Sequence, residues 1–495
     1  MTRPLGDRPR VGRLTQTLYG VGAISSGIKM KALSAFLLIF YNQAIGLSPT
    51  TVSLAVTLVM LVDAVSDPIV GYLSDHLRSP WGRRHPLMYA AAAPLALGFF
   101  LLWNPPTGWS EGALFGYLVG CLLLIRLSDT CFELPSLALA PELIEDYDKR
   151  TSIVSLRIFF RTFAGLAVTV IGLQVFLAKH ADGSGGPADR QGYLGFSIAM
   201  AAAMFVAILV ATTATHRFIP WLRKPVARVA ASVHSPRQFF SDILGLLRNP
   251  SALAMLGVGA FTSVASGARG GLELYFGLYF WDLGQGQISV LASLTAAGAL
   301  IGALLAPLVS RRVGKRAGTI GCYTLSLING CLPVALRLAG LMPANGSHGL
   351  FLWLTVEAFL QGVLYVMTAV MMNAMLADVV EDVAVKTGQR SEGLLFSADQ
   401  FFSKAVSGLG ILISGALLSL IAFPRDVKHH AIEPDMVWRL GALYVPTMVV
   451  VTGCAIGLLM LFRIDRAQHR QNLAHLEAAE LAELNRSGAE ATSIL

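Results

Sequence analysis

Two aspartates one helical turn apart are the first residues of this chain whose type and spacing suggest chemistry. Asp63 and Asp67 occur in the segment DAVSDP, inside a long apolar stretch and with Ser66 between them. Residues four apart lie on one face of a helix. Two ionised carboxylates so close in a low dielectric repel each other, so either one keeps a proton or a cation lies between them. We therefore predict a cation site at Asp63, Ser66 and Asp67, with H⁺ or Na⁺ bound; the alternative is an early helix end at Pro68.

Further ionisable and polar residues lie in other apolar stretches, where each charge costs on the order of 3 kcal/mol to insert into a bilayer. They include Arg126, Asp129, Glu133, Arg157, Arg161, Asp399, Gln400 and Lys404. Arg126, Asp129 and Glu133 follow one another at spacings of three and four, which predicts one polar stripe on a helix. Such charges either form structural ion pairs or serve a solute pathway. Lys29 and Lys31 can instead extend to the membrane surface.

The composition shows what kind of scaffold must position these residues. Apolar residues make up 54% of the 495 residues and charged residues 14%, against about 25% charged in a typical soluble protein. A soluble globule of this size could not cover so much apolar surface. Twelve apolar segments between residues 16 and 463 are each long enough to cross a bilayer as a helix. The expected fold class is an all-α integral membrane protein with twelve transmembrane helices.

The basic residues predict the orientation of these segments. With the N-terminus in the cytoplasm, 25 of the 38 Lys and Arg residues fall in cytoplasmic segments. The positive-inside rule then places both termini in the cytoplasm, and we expect a multi-pass protein of the plasma (inner) membrane. The net charge of +8 is thus explained by topology. No nucleic-acid partner is expected, because aromatic residues are not interleaved with the basic runs.

The chain repeats two patterns, one in each half. The turn GYLSDHLRSPWGRRHP has a counterpart in SRRVGKRAG, and APELIEDYDKRT has one in ADVVEDVAVKTGQR. Two six-helix repeats are typical of the major facilitator fold, whose solute site lies between the halves. The expected division is an N-terminal bundle at 1–220, a cytoplasmic linker at 221–250, a C-terminal bundle at 251–465 and a cytoplasmic tail at 466–495. We expect Asp75, Arg83 and Arg84 of the first turn to gate conformational change without touching the solute.

The types of chemistry that the sequence lacks narrow the function. No predicted span holds a histidine cluster for zinc or a Ser/His pair for acyl transfer, and the Gly-rich pieces lack a Walker lysine. We expect no enzyme activity and no cofactor other than a coupling ion, H⁺ or Na⁺. Transport driven by an ion gradient is the economical interpretation, and a receptor or enzyme is a remote alternative.

Three segments resemble the glycoside–pentoside–hexuronide:cation symporters. They are DAVSDPIVGYLSDHLRSPWGRRHP, LPSLALAPELIEDYDKRTSIVSLRIFF and KTGQRSEGLLFSADQFFSK, and the resemblance covers about 15–465. It implies the major facilitator fold and places the cation-binding carboxylates on Asp63 and Asp67. It also implies a bridging lysine at Lys404 and substrate-binding roles for Arg157 and Glu133. We expect Asp399, Gln400 and Lys404 of the eleventh span to contribute to the same solute site.

The chain departs from this family at three positions that concern the solute. Gly27 stands where a sugar-binding aspartate is expected, Ser66 replaces an asparagine beside the cation site, and Leu137 replaces an aromatic ring. The expected function is symport of a small solute, most simply a sugar or glycoside, with H⁺ or Na⁺. Transport of an amphiphile such as a lysolipid or sterol-like compound is the alternative, since animal lysophospholipid symporters share this ancestry. The solute, the cation and the lipid bilayer are the expected partners of a monomeric protein.

Overall fold

The computed structural model describes residues 11–144, 147–179, 185–222, 245, 249–387, 392–425, 433–462 and 471. Within these residues, twelve helices are long and apolar enough to cross a membrane, and no strand is formed. The predicted all-α, twelve-span fold is therefore confirmed. The helices are α1 (Arg13–Ala44), α2 (Pro49–His76), α3 (His85–Leu102), α4 (Glu111–Leu143), α5 (Tyr147–Ile171), α6 (Arg190–His216), α7 (Pro250–Tyr275), α8 (Gln285–Val313), α9 (Lys315–Leu338), α10 (His348–Thr387), α11 (Glu392–Leu420) and α12 (Pro434–Leu461).

The start of α2 is fixed by its own sequence. Ser48 Oγ accepts a hydrogen bond from the backbone N–H of Thr51 at 3.1 Å, and Pro49 occupies the first turn. A capping hydroxyl satisfies an amide that would otherwise have no partner, and proline has no amide to satisfy. The helix then continues through Pro68 to His76. The structure thus excludes the alternative in which the paired aspartates mark an early helix end.

Three helices widen into π turns in the part of the bundle toward residues 44, 176 and 280. In α1 the turns are Ala32–Phe36 and Phe40–Ala44, in α5 the turn follows at Gly172–Phe176, and in α7 it follows at Phe276–Phe280. Such turns frequently occur at functional sites. All three helices also contact the opposite half of the molecule, α1 against α7 and α5 against α8. The irregular turns therefore lie in helices that join the halves.

Helices α1–α6, the N-half, and α7–α12, the C-half, each pack chiefly among themselves. The terminal face is the end of the bundle that holds residues 11–13 and 461–462, and the distal face is the opposite end. The division into bundles, linker and tail at the predicted boundaries stays a prediction. Most of the expected linker and tail lies outside the described residues.

The most extensive contact between the halves is that of α2 with α11. Thr57 Oγ1 donates to the backbone oxygen of Gly408 at 2.7 Å, and a Cβ at Gly408 would lie 2.8 Å from the Cα of Thr57. Gly415 makes a similar approach, because a Cβ there would overlap Ser53 Oγ. The two glycines allow the backbones to touch, so α2 and α11 pack closely between Asp67 and the distal face.

A cluster of aromatic and amide side chains joins the halves at the distal face. Tyr275 Oη donates to Asn42 Oδ1 at 2.9 Å, and Gln43 Nε2 donates to the backbone oxygen of Pro424 at 2.7 Å. The rings of Tyr275 and Phe423 meet edge to face, with centroids 5.1 Å apart. These five residues form what we call the distal seal. The protein is therefore held together at its distal face.

Candidate cation and solute sites

The two aspartates of α2 face helix α4 at about half the height of the bundle. Thr130 Oγ1 of α4 lies 3.2 Å from Asp63 Oδ1 and 3.0 Å from Asp67 Oδ1. A hydroxyl has one proton to donate and two lone pairs, so its oxygen can also face a cation held by both carboxylates. Asp63 is 3% exposed, whereas the side chain of Asp67 is 19% exposed. Oxygens from two helices thus converge on one partly accessible point.

Ser66 is buried beside the aspartates but is engaged with its own helix. Its hydroxyl donates to the backbone oxygen of Asp63 at 3.0 Å. The sequence favoured Ser66 as the third member of the cation site. In the structure, Thr130 is the hydroxyl that contacts both carboxylates. The sequence offers Thr130, together with Ser128 and Glu133, as a candidate further oxygen ligand from α4, because Ser66 is shorter than the asparagine that it replaces.

Two basic side chains approach the carboxylates from different halves. Lys404 of α11 donates to Asp67 and lies 3.6 Å from Asp63 Oδ2, and Arg126 Nη1 of α4 lies 3.4 Å from the same oxygen. The ammonium of Lys404 is therefore a cation that serves both carboxylates. It comes from the opposite half, and its side chain is 35% exposed. A coupling ion at this site must compete with a charge that the protein itself supplies.

A second cluster lies toward the terminal face of the N-half. Arg157 Nη2 of α5 lies 2.9 Å from Glu133 Oε2 of α4, and Ser26 Oγ of α1 donates to the same oxygen at 2.9 Å. Arg157 Nη1 donates to Ser136 Oγ at 2.6 Å, and its guanidinium lies 5.2 Å from the ring centroid of Tyr19. Arg157 is 4% exposed, while the Glu133 side chain keeps 21%. Glu133 and Arg157, two of the five residues predicted to bind solute, thus form an ion pair with each other.

The lysines of α1 do not extend to the membrane surface as the sequence suggested. Lys29 is 7% exposed and pairs with Asp129 of α4. Lys31 pairs with Glu273 of α7 at 2.7 Å, across the boundary between the halves. That expectation was therefore wrong, because both ammonium groups find carboxylates inside the bundle. A buried charge with a close partner costs far less than an isolated one.

The ion pairs of this region balance in charge. The basic members are Lys29, Arg126, Arg157 and Lys404, and the acidic members are Asp63, Asp67, Asp129 and Glu133. Seven of these eight belong to the N-half, and Lys404 comes from the C-half. Withdrawal of Lys404 would leave one net negative charge in the N-half. A monovalent cation can restore neutrality there.

The remaining residues predicted on α11 point to different surroundings. A Cβ built at Gly259 of α7 would lie 2.7 Å from Asp399 Oδ1, so Asp399 packs against α7 inside the C-half. Gln400 is exposed, one turn before Lys404. Of the three residues predicted on α11, Lys404 is the one that the structure brings to the paired aspartates.

The turn after α2 is tied to the end of α4. Arg83 pairs with Glu142, and Arg84 Nη2 lies 2.9 Å from the same Oε1 atom. Gly82 precedes them with φ +76°, a conformation that favours glycine. The side chain of Asp75 lies outside the described part of the structure. Glu142 belongs to the acidic repeat, but the sequence did not identify it as the partner of these arginines.

The C-half contains the equivalent ion pair. Lys315, which follows Gly314 with φ +94°, donates to Asp378 of α10 at 2.6 Å and 2.8 Å. Asp378 occupies the position in ADVVED that Glu142 occupies in PELIED. Both repeats thus place a basic turn against an acidic residue near the terminal end of a long helix. The internal repeat of the sequence is also a repeat of contacts.

Gly27 is explained by packing against α5. A Cβ at Gly27 would overlap the backbone oxygen of Arg161 and would lie 2.9 Å from the Cβ of Ala164. An aspartate could not be placed there without separating α1 from α5. Leu137, one turn after Glu133 on α4, is 47% exposed. The surroundings of Glu133 and Arg157 therefore lack an acidic side chain at Gly27 and have an aliphatic side chain at Leu137.

Comparison with known proteins agrees with this architecture. The sequence profile of the family described as "MFS/sugar transport protein" matches residues 18–466. The crystal structure of the nucleoside transporter NupG superposes with a TM-score of 0.57 at 14% identity, covering 92% of this chain and 100% of NupG. At that identity the likeness concerns the fold alone.

Three relatives come from bacteria and from an animal. The putative glycoside/cation symporter YagG of Escherichia coli (strain K12) is 24% identical over 93% of this chain and 95% of its own length. The sphingosine-1-phosphate transporter MFSD2B of Mus musculus is 24% identical over 92% and 91%. The uncharacterized symporter sll1374 of Synechocystis sp. (strain ATCC 27184 / PCC 6803 / Kazusa) is 30% identical over 191 residues, 38% of this chain and 34% of its own length.

Twelve spanning helices in the described residues, packed as two halves around buried ion pairs, define a multi-pass membrane transporter of the major facilitator type. The family match adds the more specific assignment. The chain belongs to the MFS/sugar transport protein family.

Proposed function

We propose that the protein is a secondary active symporter that couples entry of H⁺ or Na⁺ to uptake of a small solute by alternating access. The observation that carries this proposal is Lys404, which crosses from the C-half to lie against Asp63 and Asp67 of the N-half. A cation that binds the two aspartates competes with this contact. Binding of an ion at this site therefore affects the contact that joins the two halves.

The coupling step follows from charge balance. In the described state the ammonium of Lys404 and the guanidinium of Arg126 together balance the charge of the aspartate pair. When Na⁺ binds the carboxylates, or when one of them takes up a proton, the attraction of Lys404 for Asp67 weakens. The contact between α2 and α11 then loses an ion pair, and the distal face can open. A ligand shifts such an equilibrium only by its difference in affinity for the two states, and here Lys404 supplies that difference.

The number of oxygen ligands around the paired aspartates determines whether the site suits Na⁺ or a proton. Na⁺ requires several oxygen ligands, since hard cations are selected by ligand number and cavity size. Asp63, Asp67 and Thr130 supply oxygens from two helices, which supports a shell that includes the Thr130 hydroxyl. A proton needs only one carboxylate. Both ions remain candidates, and uptake under a pH gradient without Na⁺ distinguishes them.

The solute that this arrangement suits best is a sugar or glycoside. Glu133 and Arg157 offer a carboxylate and a guanidinium next to the serine hydroxyls of Ser26 and Ser136. Hydroxyl groups of a sugar can accept from the guanidinium and donate to the carboxylate. The name of YagG, a putative glycoside/cation symporter, supports this choice. We assign no role in solute binding to Asp399, because it packs inside the C-half.

An amphiphilic solute is the second candidate, and Leu137 is the observation that favours it. Its side chain is 47% exposed on α4, one turn from Glu133. An aliphatic surface beside a charged pair can hold a hydrocarbon chain and a polar headgroup. MFSD2B, a sphingosine-1-phosphate transporter, is a relative of this kind.

The remaining features follow from the topology. We infer that both termini lie in the cytoplasm, that the distal face is extracytoplasmic, and that the protein works as a monomer in the inner membrane without enzyme activity. We expect the segment 221–250 to link the two halves on the cytoplasmic side. Gating is assigned to Arg83 and Arg84 through Glu142, and Asp75 belongs to the same turn.

The proposed symport is tested by a ligand-binding screen, followed by measurement of solute uptake into proteoliposomes. A ligand present at 100 times its Kd stabilises the protein by about 2.7 kcal/mol, so a thermal-shift screen of glycosides and lysolipids, each with and without Na⁺, identifies the class. Proteoliposomes then measure accumulation under imposed pH and Na⁺ gradients. Gradient-driven accumulation of a glycoside that is lost in Arg157→Ala supports the proposal. Accumulation that ignores both gradients contradicts it, and selective stabilisation by lysolipids replaces the sugar with the amphiphile.

A further inference from the structure

A separate cavity opens at the distal face of the C-half. It has a volume of about 480 Å³ and lies between the end of α7, the end of α9, the connection that follows α9 and the start of α12. Ligand pockets typically measure about 300–1,000 Å³. None of its lining residues belongs to the charged clusters described above. It is therefore a different site, large enough for a small organic molecule.

The cavity contains one side chain of each charge. Asp282 and Arg337 both line it, and within the described residues they form no ion pair with each other. Arg337 Nη1 donates to the backbone oxygen of Pro343 at 3.0 Å, which holds the guanidinium near the cavity. Asp282 is exposed and has φ +52°, a left-handed conformation that aspartate adopts more readily than most residues other than glycine.

Aromatic rings supply the apolar part of the lining. Trp438 lies at the cavity with 52% of its surface exposed, and Tyr279 lines it from α7. Aromatic side chains offer a large apolar face together with a polar edge. A ring-shaped polyol presents C–H groups on one face and hydroxyls around its rim. The cavity offers a matching combination of aromatic surface, hydrogen-bond donor and hydrogen-bond acceptor.

The same cavity is in direct contact with the distal seal. The Tyr279 ring lies 5.3 Å from the ring of Phe423, which in turn packs on Tyr275. Asn345 lines the cavity from the other side and donates to the backbone oxygen of Phe280 at 3.3 Å. A molecule that contacts Tyr279 therefore contacts a residue that packs directly on the distal seal.

We propose that this distal cavity is a second solute site, which binds a pyranose-type polyol at the surface and acts on the distal seal through Tyr279. Vicinal hydroxyls bridge Asp282 and Arg337, and the ring stacks on Trp438. A zwitterion gains less here, since ion pairs open to water contribute only about 0–1 kcal/mol. This assignment does not depend on which solute the central cluster carries.

The experiment is saturation-transfer NMR with methyl β-D-glucoside as the probe and the full-length protein in nanodiscs. We expect transfer to the ring protons of the probe to fall at least threefold in Trp438→Ala and in Asp282→Asn. Trp109→Ala is the matched control, because Trp109 is 50% exposed and also lies at the distal face, but in the N-half. Asn tolerates a positive φ, so Asp282→Asn keeps the turn. Thermal unfolding midpoints verify that the variants are folded.

A Glu133→Ala variant separates the two sites. Glu133→Ala should keep the saturation transfer that depends on Trp438, even where solute uptake is lost. Failure of the symport function and failure of the distal site therefore give different results. The inference is overturned if transfer is the same in Trp438→Ala and Trp109→Ala, or if it disappears in Glu133→Ala. Displacement of the probe by equimolar glycine betaine would also contradict it, because the site would then prefer a zwitterion.

Discussion

Lys404 of α11 donates a hydrogen bond to Asp67 of α2, and the two residues are 337 positions apart in the chain and belong to different halves. The contact lies at the level where α2 and α11 come together beneath the distal seal. Its partners carry opposite charges, and because Asp67 keeps only 19% of its side chain exposed, their attraction is stronger than in bulk water. A cation that takes the place of the ammonium therefore acts directly on the contact between the halves.

Removal of the Lys404 ammonium should affect cation affinity and transport rate in opposite directions. We expect Lys404→Ala to bind the coupling cation more tightly, because no charge of the protein competes for Asp63 and Asp67. Turnover should fall about tenfold or more, equivalent to at least about 1.4 kcal/mol in the barrier. Titration calorimetry with Na⁺ or protons and uptake in proteoliposomes measure the two effects. Lys404→Arg, which keeps the charge, is the control; weaker cation binding in Lys404→Ala would contradict competition.

Neutralisation of Asp63 should abolish coupled uptake while the protein stays folded. Asp63→Asn removes one charge from the membrane interior, which makes insertion easier, but it leaves Arg126 and Lys404 without a full counter-charge. Glu111→Gln is the comparison, because Glu111 pairs with Arg425 with 57% of its side chain exposed. Ion-dependent accumulation at the wild-type rate in Asp63→Asn would remove Asp63 from the cation site.

Because α1 packs closely against α5 at Gly27, substitution of Gly27 and of Gly71 by alanine should affect the stability of the protein differently. Gly27→Ala should destabilise the protein by roughly 1–3 kcal/mol, since the added Cβ overlaps the backbone oxygen of Arg161. Gly71→Ala should be neutral or stabilising by up to about 1 kcal/mol, because nothing lies within 4 Å of a Cβ at Gly71 within α2. Thermal unfolding in detergent compares them. Equal midpoints would show that α1 and α5 are farther apart than described.

The arginine turn should affect rate and leave solute affinity unchanged. Glu142→Gln weakens the pairs with Arg83 and Arg84 and so destabilises the state in which they form. A difference of about 1.4 kcal/mol between states changes their ratio tenfold. We expect turnover to change severalfold at constant equilibrium solute affinity, and Asp378→Asn to act in the same way from the C-half. A large loss of affinity at normal turnover would place Glu142 at the solute.

The sequence predicts best those features that depend on one helix at a time. The twelve spans and the positions of Asp63, Asp67 and Lys404 follow from apolar segment length and from charges inside those segments. Contacts between helices were harder to foresee. The bridging by Thr130 and the pairing of Lys29 with Asp129 depend on how α1, α2 and α4 face one another, and helical periodicity does not give that relation.

Gly27 is a second case in which a contact between helices could not be predicted from the sequence. In the sequence it is an absent aspartate, whereas in the structure it is the residue that lets α1 approach α5. Glu142 is similar, since its position in the acidic repeat was visible but its partners depend on the orientation of a turn. Lys31 was expected at the membrane surface, yet Glu273 of the other half holds it inside the bundle.

We expect a monovalent cation at Asp63 and Asp67 to displace Lys404 and to open the distal face. The most direct measurement is the distance between spin labels at the distal ends of α2 and α11, near Thr50 and Ser419, whose hydroxyls lie 3.5 Å apart in the closed state. Without solute, addition of Na⁺ or a lower pH should shift wild-type protein toward longer distances. Asp63→Asn should not respond. A distance distribution that is independent of both ions, or an identical response in Asp63→Asn, would contradict the claim.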